Sequence, residues 1–239
     1  MSDLTNLSGV YTLDPAHTEI GFVARHAMVT KVRGSFSELE GTASTGAGLA
    51  DASINLTVQV ASVRSGNADR DAHLRSADFF DVEKYPTITF ASTEVTSPSA
   101  DVLHVVGDLT IKDVTRPVAI DFEFEGAAQD PFGNERVGLS GSVEVNRKDF
   151  GLEWNAALET GGVLVSEKVT LNFEVSAIKS VEAADESVEA AVAEEAVEAP
   201  VQNEAPVAEA PVQNEAPARA QAPAKGGISG FFGKLFGKR

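Results

Sequence analysis

The feature that most constrains this chain is a strict alternation of apolar and polar residues that recurs segment after segment. In "INLTVQV", Ile54, Leu56, Val58 and Val60 fall on one side, and Asn55, Thr57 and Gln59 on the other. "VAIDFEFE" sets Val118, Ile120, Phe122 and Phe124 against Asp121, Glu123 and Glu125. "RVGLSGSVEV" and "KVTLNFEV" repeat the pattern through Val137, Leu139, Gly141, Val143 and Val145, and through Val169, Leu171, Phe173 and Val175. Successive side chains of a strand point to opposite faces, so this period predicts strands with one wet and one apolar face. "TEIGFVA", "TITFAST" and "LHVVGDLTI" carry the same signal more weakly.

About eight such strands in roughly 170 residues predict an antiparallel barrel or sandwich. Turn residues separate them: Gly46-Ala-Gly48, Ser97-Pro98-Ser99, Asp130 to Gly133, and Gly161-Gly162. A barrel of about eight strands is either filled by its own side chains or holds one small ligand. Gly107 and Gly141, on inward positions, either leave room for a guest or mark bends and bulges. One stretch lacks alternation. Asn67 is a good helix cap and Ala68, Ala72, Leu74 and Ala77 are compatible with helix, so 67–78 reads as a short helix. Pro86 then ends helical structure before "TITFAS".

Composition divides the 239 residues. A folded domain is expected over about 8–178. An Ala/Glu/Pro-rich acidic linker follows over 179–225, with "EAPVQNEAP" recurring after eleven residues, and regular prolines rule out a continuous helix there. Such a segment buries too little apolar surface to offset its ordering entropy and reads as disordered. Residues 226–239, "GGISGFFGKLFGKR", form a short basic amphipathic segment suited to a membrane surface or a docking partner.

The absence of cysteine removes disulfides, thiolate zinc sites and thiol nucleophiles. The net charge of −17 argues against a nucleic-acid partner. No secretory leader is legible at the start of the sequence, and no apolar run nears the roughly 20 residues a spanning helix needs. A cytoplasmic location, peripheral at the inner face of the membrane, is the resulting expectation; a homodimer is compatible with it.

Four stretches, in order, resemble the YceI-like family of polyisoprenoid-binding proteins. They are "YTLDPAHTEIGFVARHAMVTKVRGSFSELEG" over 11–41, with His17, Phe22, His26, Val32, Gly34 and Phe36 at the family's positions; "RDAHLRSADFFDVEKYPTITFAST"; "GDLTIKDVTRPVAIDFEF"; and "NRKDFG". Asp113 departs from the family's usual glycine, and the tail beyond 180 has no counterpart. The resemblance implies an all-β fold: an eight-stranded, lipocalin-like antiparallel barrel with a long apolar channel for a polyprenyl chain of the quinone or prenyl-pyrophosphate kind. It implies non-enzymatic storage or transport of an isoprenoid lipid, with no cofactor and no metal. Residues expected to line the channel or its mouth are Phe22, His26, Phe36, Ile54, Leu56, Val58, His73, Phe79, Phe80, Phe90, Leu109, Phe122, Phe150, Trp154 and Phe173.

The charged cluster around residue 70 admits a rival reading. Asp69, Asp71 and His73 are acid/base candidates for an enzyme acting on an isoprenoid-like substrate, with Arg70 or Arg75 as an anion clamp. Spaced two apart on a helix, they do not share a face, which disfavours a metal site. The structural reading is a polar lid anchored on the barrel by Leu74, Phe79 and Phe80. His17 and His26 are read as structural or as head-group donors, His104 as solvated, Arg147 and Asp149 as an ion pair on one strand face, and Trp154 as a plug or rim cover. A third reading is a solid barrel that acts through its tail.

Overall fold

The computed structural model describes residues 4–159 and 161–180. Of the linker expected over 179–225, Lys179 closes β11, and the rest from 181 on lies outside the described residues, as does the basic amphipathic segment over 226–239. The strand segments are β1 (Gly9–Leu13), β2 (Glu19–His26), β3 (Thr30–Phe36), β4 (Leu39–Thr45), β5 (Ser53–Gln59), β6 (Val63–Arg64), β7 (Thr87–Ser99), β8 (Val102–Ile111), β9 (Val114–Gln129), β10 (Glu135–Asn146) and β11 (Lys168–Lys179). One helix, α1 (Ala68–Arg75), lies between β6 and β7.

The pairing reduces these eleven segments to eight strands. β1 and β2 both pair with β11, Leu13 opposite Ala177 and Glu19 opposite Glu174, so they are two halves of one strand interrupted at 14–18. β4 pairs with β1 and β3 with β2; β5 pairs with β4 and β6 with β3. Each long strand is thus bonded to the next in sequence, and the last returns to the first. The result is a closed up-and-down antiparallel barrel, in which, among the described residues, only the two-residue β6 lacks a strand on one side.

Local chemistry explains the interruptions. At 14–18, Pro15 supplies no amide donor, and Asp14 Oδ1 accepts the Ala16 N–H at 3.0 Å in a tight turn. Between the other halves, the buried Ser62 hydroxyl accepts from the Ser37 and Glu38 amides at 3.2 and 3.1 Å and donates to Gln59 O at 2.6 Å. One hydroxyl satisfies two kinks.

Alternation governs the inward face. On β8, Leu103, Val105, Gly107, Leu109 and Ile111 are buried. On β7 the phase slips at a bulge between Ser92 and Glu94, so Ile88 and Phe90 precede it and Val95 follows it inward. The Ser97-Pro98-Ser99 turn is displaced: β7 runs through Pro98 to Ser99, and the chain reverses at 100–101. A register shift between Thr96 and Ser99 accommodates the proline's missing donor.

The strand directions sort the connections into two ends. The hairpin at 27–29, the lid at 65–86, the turn at 112–113 and the crossover at 147–167 share one end. Residues 4–8, the connection at 46–52 and the turns at 100–101 and 130–134 share the other. α1 opens as expected, with Asn67 Oδ1 accepting the Arg70 amide at 2.9 Å. Arg75 ties the helix to the barrel by donating to Ala61 O and Val63 O, both at 2.7 Å.

Candidate functional site: an apolar lumen

The barrel interior encloses a cavity of about 200 Å³ with an almost wholly apolar wall. The interior is therefore not filled by side chains. An aliphatic cavity near 150 Å³ stays dry and accepts an apolar guest, and this one is larger. Its lining runs from Phe36, Ile88 and Ile111 near the lid end to Leu7, Leu49 and Ala52 at the opposite end.

Eight of the sequence-predicted residues line this lumen: Phe36, Ile54, Leu56, Val58, Phe90, Leu109, Phe122 and Phe173. The rest lie elsewhere, mostly in an aromatic seal. Phe22 and Phe36 have ring centroids 5.9 Å apart, and Phe80 meets Phe36 edge-on at 6.0 Å. His73 sits edge-on to Phe79 at 5.0 Å and to Trp154 at 4.6 Å, and Phe79 lies 5.3 Å from Trp154. Phe150 is buried beyond them. Phe22, Phe79, Phe80, Trp154 and His73 close the lid end rather than line the void. His26 is exposed on the hairpin, bridged to Val165.

Sequence reasoning missed Leu7, Leu13, Leu49, Val95 and Ala177, all of which line the lumen. Leu7 and Leu49 sit outside any strand pattern, and Val95 is out of phase because of the bulge. The wall stays apolar to the end opposite the seal: Ser44 and Ser53, which share a hydroxyl contact at 3.0 Å, fall on the outward phase of β4 and β5, as does the exposed Asn55.

The glycines do not leave room in the way expected. A Cβ on Gly107 would stand 2.3 Å from Phe90 Cζ and 2.6 Å from Ala91 O. On Gly141 it would meet Phe122 Cδ1 at 2.8 Å, and on Gly34 Phe22 Cζ at 2.3 Å. Each glycine lets a ring of the same chain lie flat against the wall. The guest's space is what remains once Phe90 and Phe122 are folded aside.

The acid/base candidates do not converge. Asp71 accepts from the Ser65 amide at 2.8 Å and from its hydroxyl at 2.5 Å. His73 Nε2 faces Asp78 at 2.9 Å, and Asp69 is exposed in the first turn of α1. Arg70 donates to Ser65 rather than to a lumen site, at 2.7 Å through Nε. None of the three candidates lines the lumen.

Arg147 and Asp149 do not share a strand face. β10 ends at Asn146, whose side chain accepts the Lys148 amide at 3.0 Å and starts a 3-10 turn over Arg147–Phe150. Arg147 keeps the inward phase of Val143 and Val145 and is only 5% exposed. It donates through Nε to Ser166 O at 2.9 Å and through Nη1 to Leu152 O, while Nη2 finds no partner among the described residues. Burial holds its pKa below the ordinary guanidinium value.

On the outer wall, Arg136 bridges Asp14 at 2.5 Å and Asp130 at 2.8 Å, and His17 joins Asp14 at 2.7 Å. The guanidinium, above all, holds the Asp14 carboxyl down at about 2. Asp130 is pushed below the usual carboxylate range first by the Asn134 side chain and then by Arg136. His17 is thereby committed to a strand break. His104 faces Asp121 across β8 and β9 on the outer surface.

Fold and site together define a closed meander barrel built around an apolar lumen. The chain belongs to the YceI-like domain family, which it matches over residues 11–177. A UPF0312 protein of Vibrio cholerae serotype O1 is 41% identical over 146 residues, 60% of this chain and 77% of that protein. The crystal structure of the Campylobacter jejuni YceI protein matches with a TM-score of 0.57 at 28% identity, over 66% of this chain and 90% of that one. A polyisoprenoid binding domain from Saccharophagus degradans, implicated in plant cell wall breakdown, has a TM-score of 0.56 at 18% identity. It covers 71% of this chain and 98% of that domain, and shows the shared fold.

Proposed function

We propose that this protein binds an isoprenoid lipid, of the polyprenyl or quinone type, in the barrel lumen and does not alter it chemically. The observation that carries the reading is the lumen itself, a void inside the barrel whose wall offers almost nothing but hydrocarbon. The naming of the Saccharophagus degradans domain, on the same fold, supports the ligand class. Burying one methylene is worth about 0.8 kcal/mol, so a chain of several prenyl units gains ample affinity from the wall alone. The polar head then sets orientation rather than strength.

The rings of Phe90 and Phe122 supply adaptability. Pressed onto Gly107 and Gly141, they clear the axis; turned inward, they fill it. A binding role is favoured over catalysis because Asp69, Asp71 and His73 lie off the lumen, and Asp71 and His73 answer to separate partners. The test is native mass spectrometry of gently purified protein, followed by organic extraction. A co-purifying isoprenoid in near-stoichiometric amount is expected. An empty barrel that takes up neither a quinone nor a polyprenol from detergent would overturn the proposal.

A further inference from the structure

The outer face of the β2–β3 hairpin carries charge with no structural purpose. Arg25 stands directly opposite Lys31, and Arg33, two residues on, points to the same side. Like charges directly opposed across an antiparallel pair repel and destabilise the sheet. All three side chains are exposed, and among the described residues none belongs to an ion pair. The neighbouring acids are already taken: Lys168 holds Glu144 and Lys148 holds Glu167, each at 2.5 Å. In a chain of net charge −17, an unneutralised cationic strip is the exception on the surface. It borders a groove of about 950 Å³ whose polar wall includes Asn146, Thr170 and Asn172.

The tip of the same hairpin is apolar. Met28 is 50% exposed and Val29 75% exposed. Ala27 and Met28 take φ of 49° and 64°, values that glycine and asparagine normally fill in such turns. The turn is also braced, because the Ala27 amide donates to Leu164 O at 2.7 Å. A rigid, strained turn thus presents two apolar side chains outward, with cations behind them.

We propose that this hairpin docks the barrel onto an anionic lipid bilayer. At about 3.3 Å per strand residue, the opposed pair Arg25 and Lys31 lies roughly 7–10 Å behind the tip, and Arg33 roughly 7 Å further back. Apolar groups at membrane surfaces sink about 5–10 Å into the head-group boundary. With Met28 and Val29 at that depth, Arg25 and Lys31 lie level with the phosphates, and the long side chain of Arg33 extends toward them from one step behind. The occupant is a lipid surface, and not an acidic protein, because the charged strip ends in exposed hydrocarbon.

Co-sedimentation of the full chain with vesicles tests this. All variants carry F231S, F232S and F236S, which disable the terminal amphipathic segment. Pure phosphatidylcholine vesicles are compared with mixed phosphatidylglycerol/phosphatidylcholine vesicles at low salt. R25Q/K31Q/R33Q is expected to weaken binding to the anionic vesicles about a hundredfold, and to melt no lower than its parent because repulsion is relieved. M28S/V29S is expected to weaken binding about tenfold with the cations intact. Unchanged vesicle binding in the charge variant overturns the proposal. So does a parent that ignores vesicles but retains poly-glutamate through the same cations, which would assign an acidic protein partner. A dimer dissolved by M28S/V29S with vesicle binding intact also overturns it. The vesicle assay reads the outer hairpin and lipid extraction reads the lumen, so the two proposals fail separately.

Discussion

At the scale of single residues, Asp113 shows how a family departure is decided by backbone geometry. The β8–β9 turn places Lys112 at φ 52° and Asp113 at φ 60°, the left-handed region at both central positions. This is the two-residue hairpin turn that favours glycine, and aspartate is among the few side chains that tolerate it. Asp113→Gly is therefore expected to stabilise the barrel by up to about 1 kcal/mol, raising the melting temperature by about 2–4 °C. Differential scanning calorimetry of the pair decides it, and a lower melting temperature in the variant would contradict the turn assignment. The departure was visible in the sequence, but its meaning was not, because only the backbone says that φ is positive there. Arg147 was misread for a related reason. Two residues apart from Asp149, it implied a shared strand face, yet the Asn146 cap ends the strand one residue earlier. Alternation carries no notice of where a strand stops.

At the scale of elements, the long alternating runs of β5, β8, β10 and β11 were legible, since each keeps one phase against the lumen, and β9 was legible up to Phe124, where a bulge shifts its phase. The breaks were not. Nothing in "TITFASTEV" announces the bulge at Ser92/Glu94 that turns Val95 inward, and Ser62 as a double staple depends on contacts 24 and 25 residues away. The ring-over-glycine pairs were half legible: Gly107 and Gly141 stood out as small inward residues, but their fillers came from neighbouring strands. These pairs yield a prediction. Gly107→Ala puts a methyl against both Phe90 and the Ala91 carbonyl, and the carbonyl cannot swing away. A loss of about 1–3 kcal/mol is expected from overpacking, read by urea unfolding. Adding Phe90→Leu should recover part of it, so strictly additive losses would refute ring contact as the cause.

The Asp14–Arg136–Asp130 bridge joins the break in the first strand to the 130–134 turn, and so couples two elements through charge. Asp14 titrates near 2 in the fold, against about 3.9 for a free aspartate, so its contribution is fully present above about pH 4. That contribution is lost as pH falls through the folded value. Arg136→Gln should thus lower stability at neutral pH, and the gap to the parent should narrow between about pH 4 and pH 2 as Asp14 is protonated, the Asp130 pair persisting to lower pH. Circular dichroism melts across that window measure it. A gap that stays constant with pH would show that the guanidinium acts by packing and not through the carboxylates.

At the scale of the molecule, alternation plus strand count reached "barrel or sandwich", and the family resemblance chose the barrel. Whether it was hollow lay beyond alternation and strand count, because a lumen is a property of how rings fold across eight strands; only the resemblance implied a channel. A hollow barrel has a thermodynamic consequence. Its walls forgo the contacts a filled core would make, so a guest that fits stabilises the folded state by mass action, by about 2.7 kcal/mol at a hundred times its dissociation constant. For a domain of this size that amounts to a rise of about 5–11 °C in melting temperature. The stripped protein should show it with a long-chain quinone or polyprenol and not with the isolated quinone head group, since the affinity resides in the chain. Gly107→Ala, which drives the Phe90 ring toward the axis, should bind the same lipid more weakly and show a smaller rise. A head group that stabilises as well as the whole lipid would place the binding energy at the mouth and remove the lumen from the account.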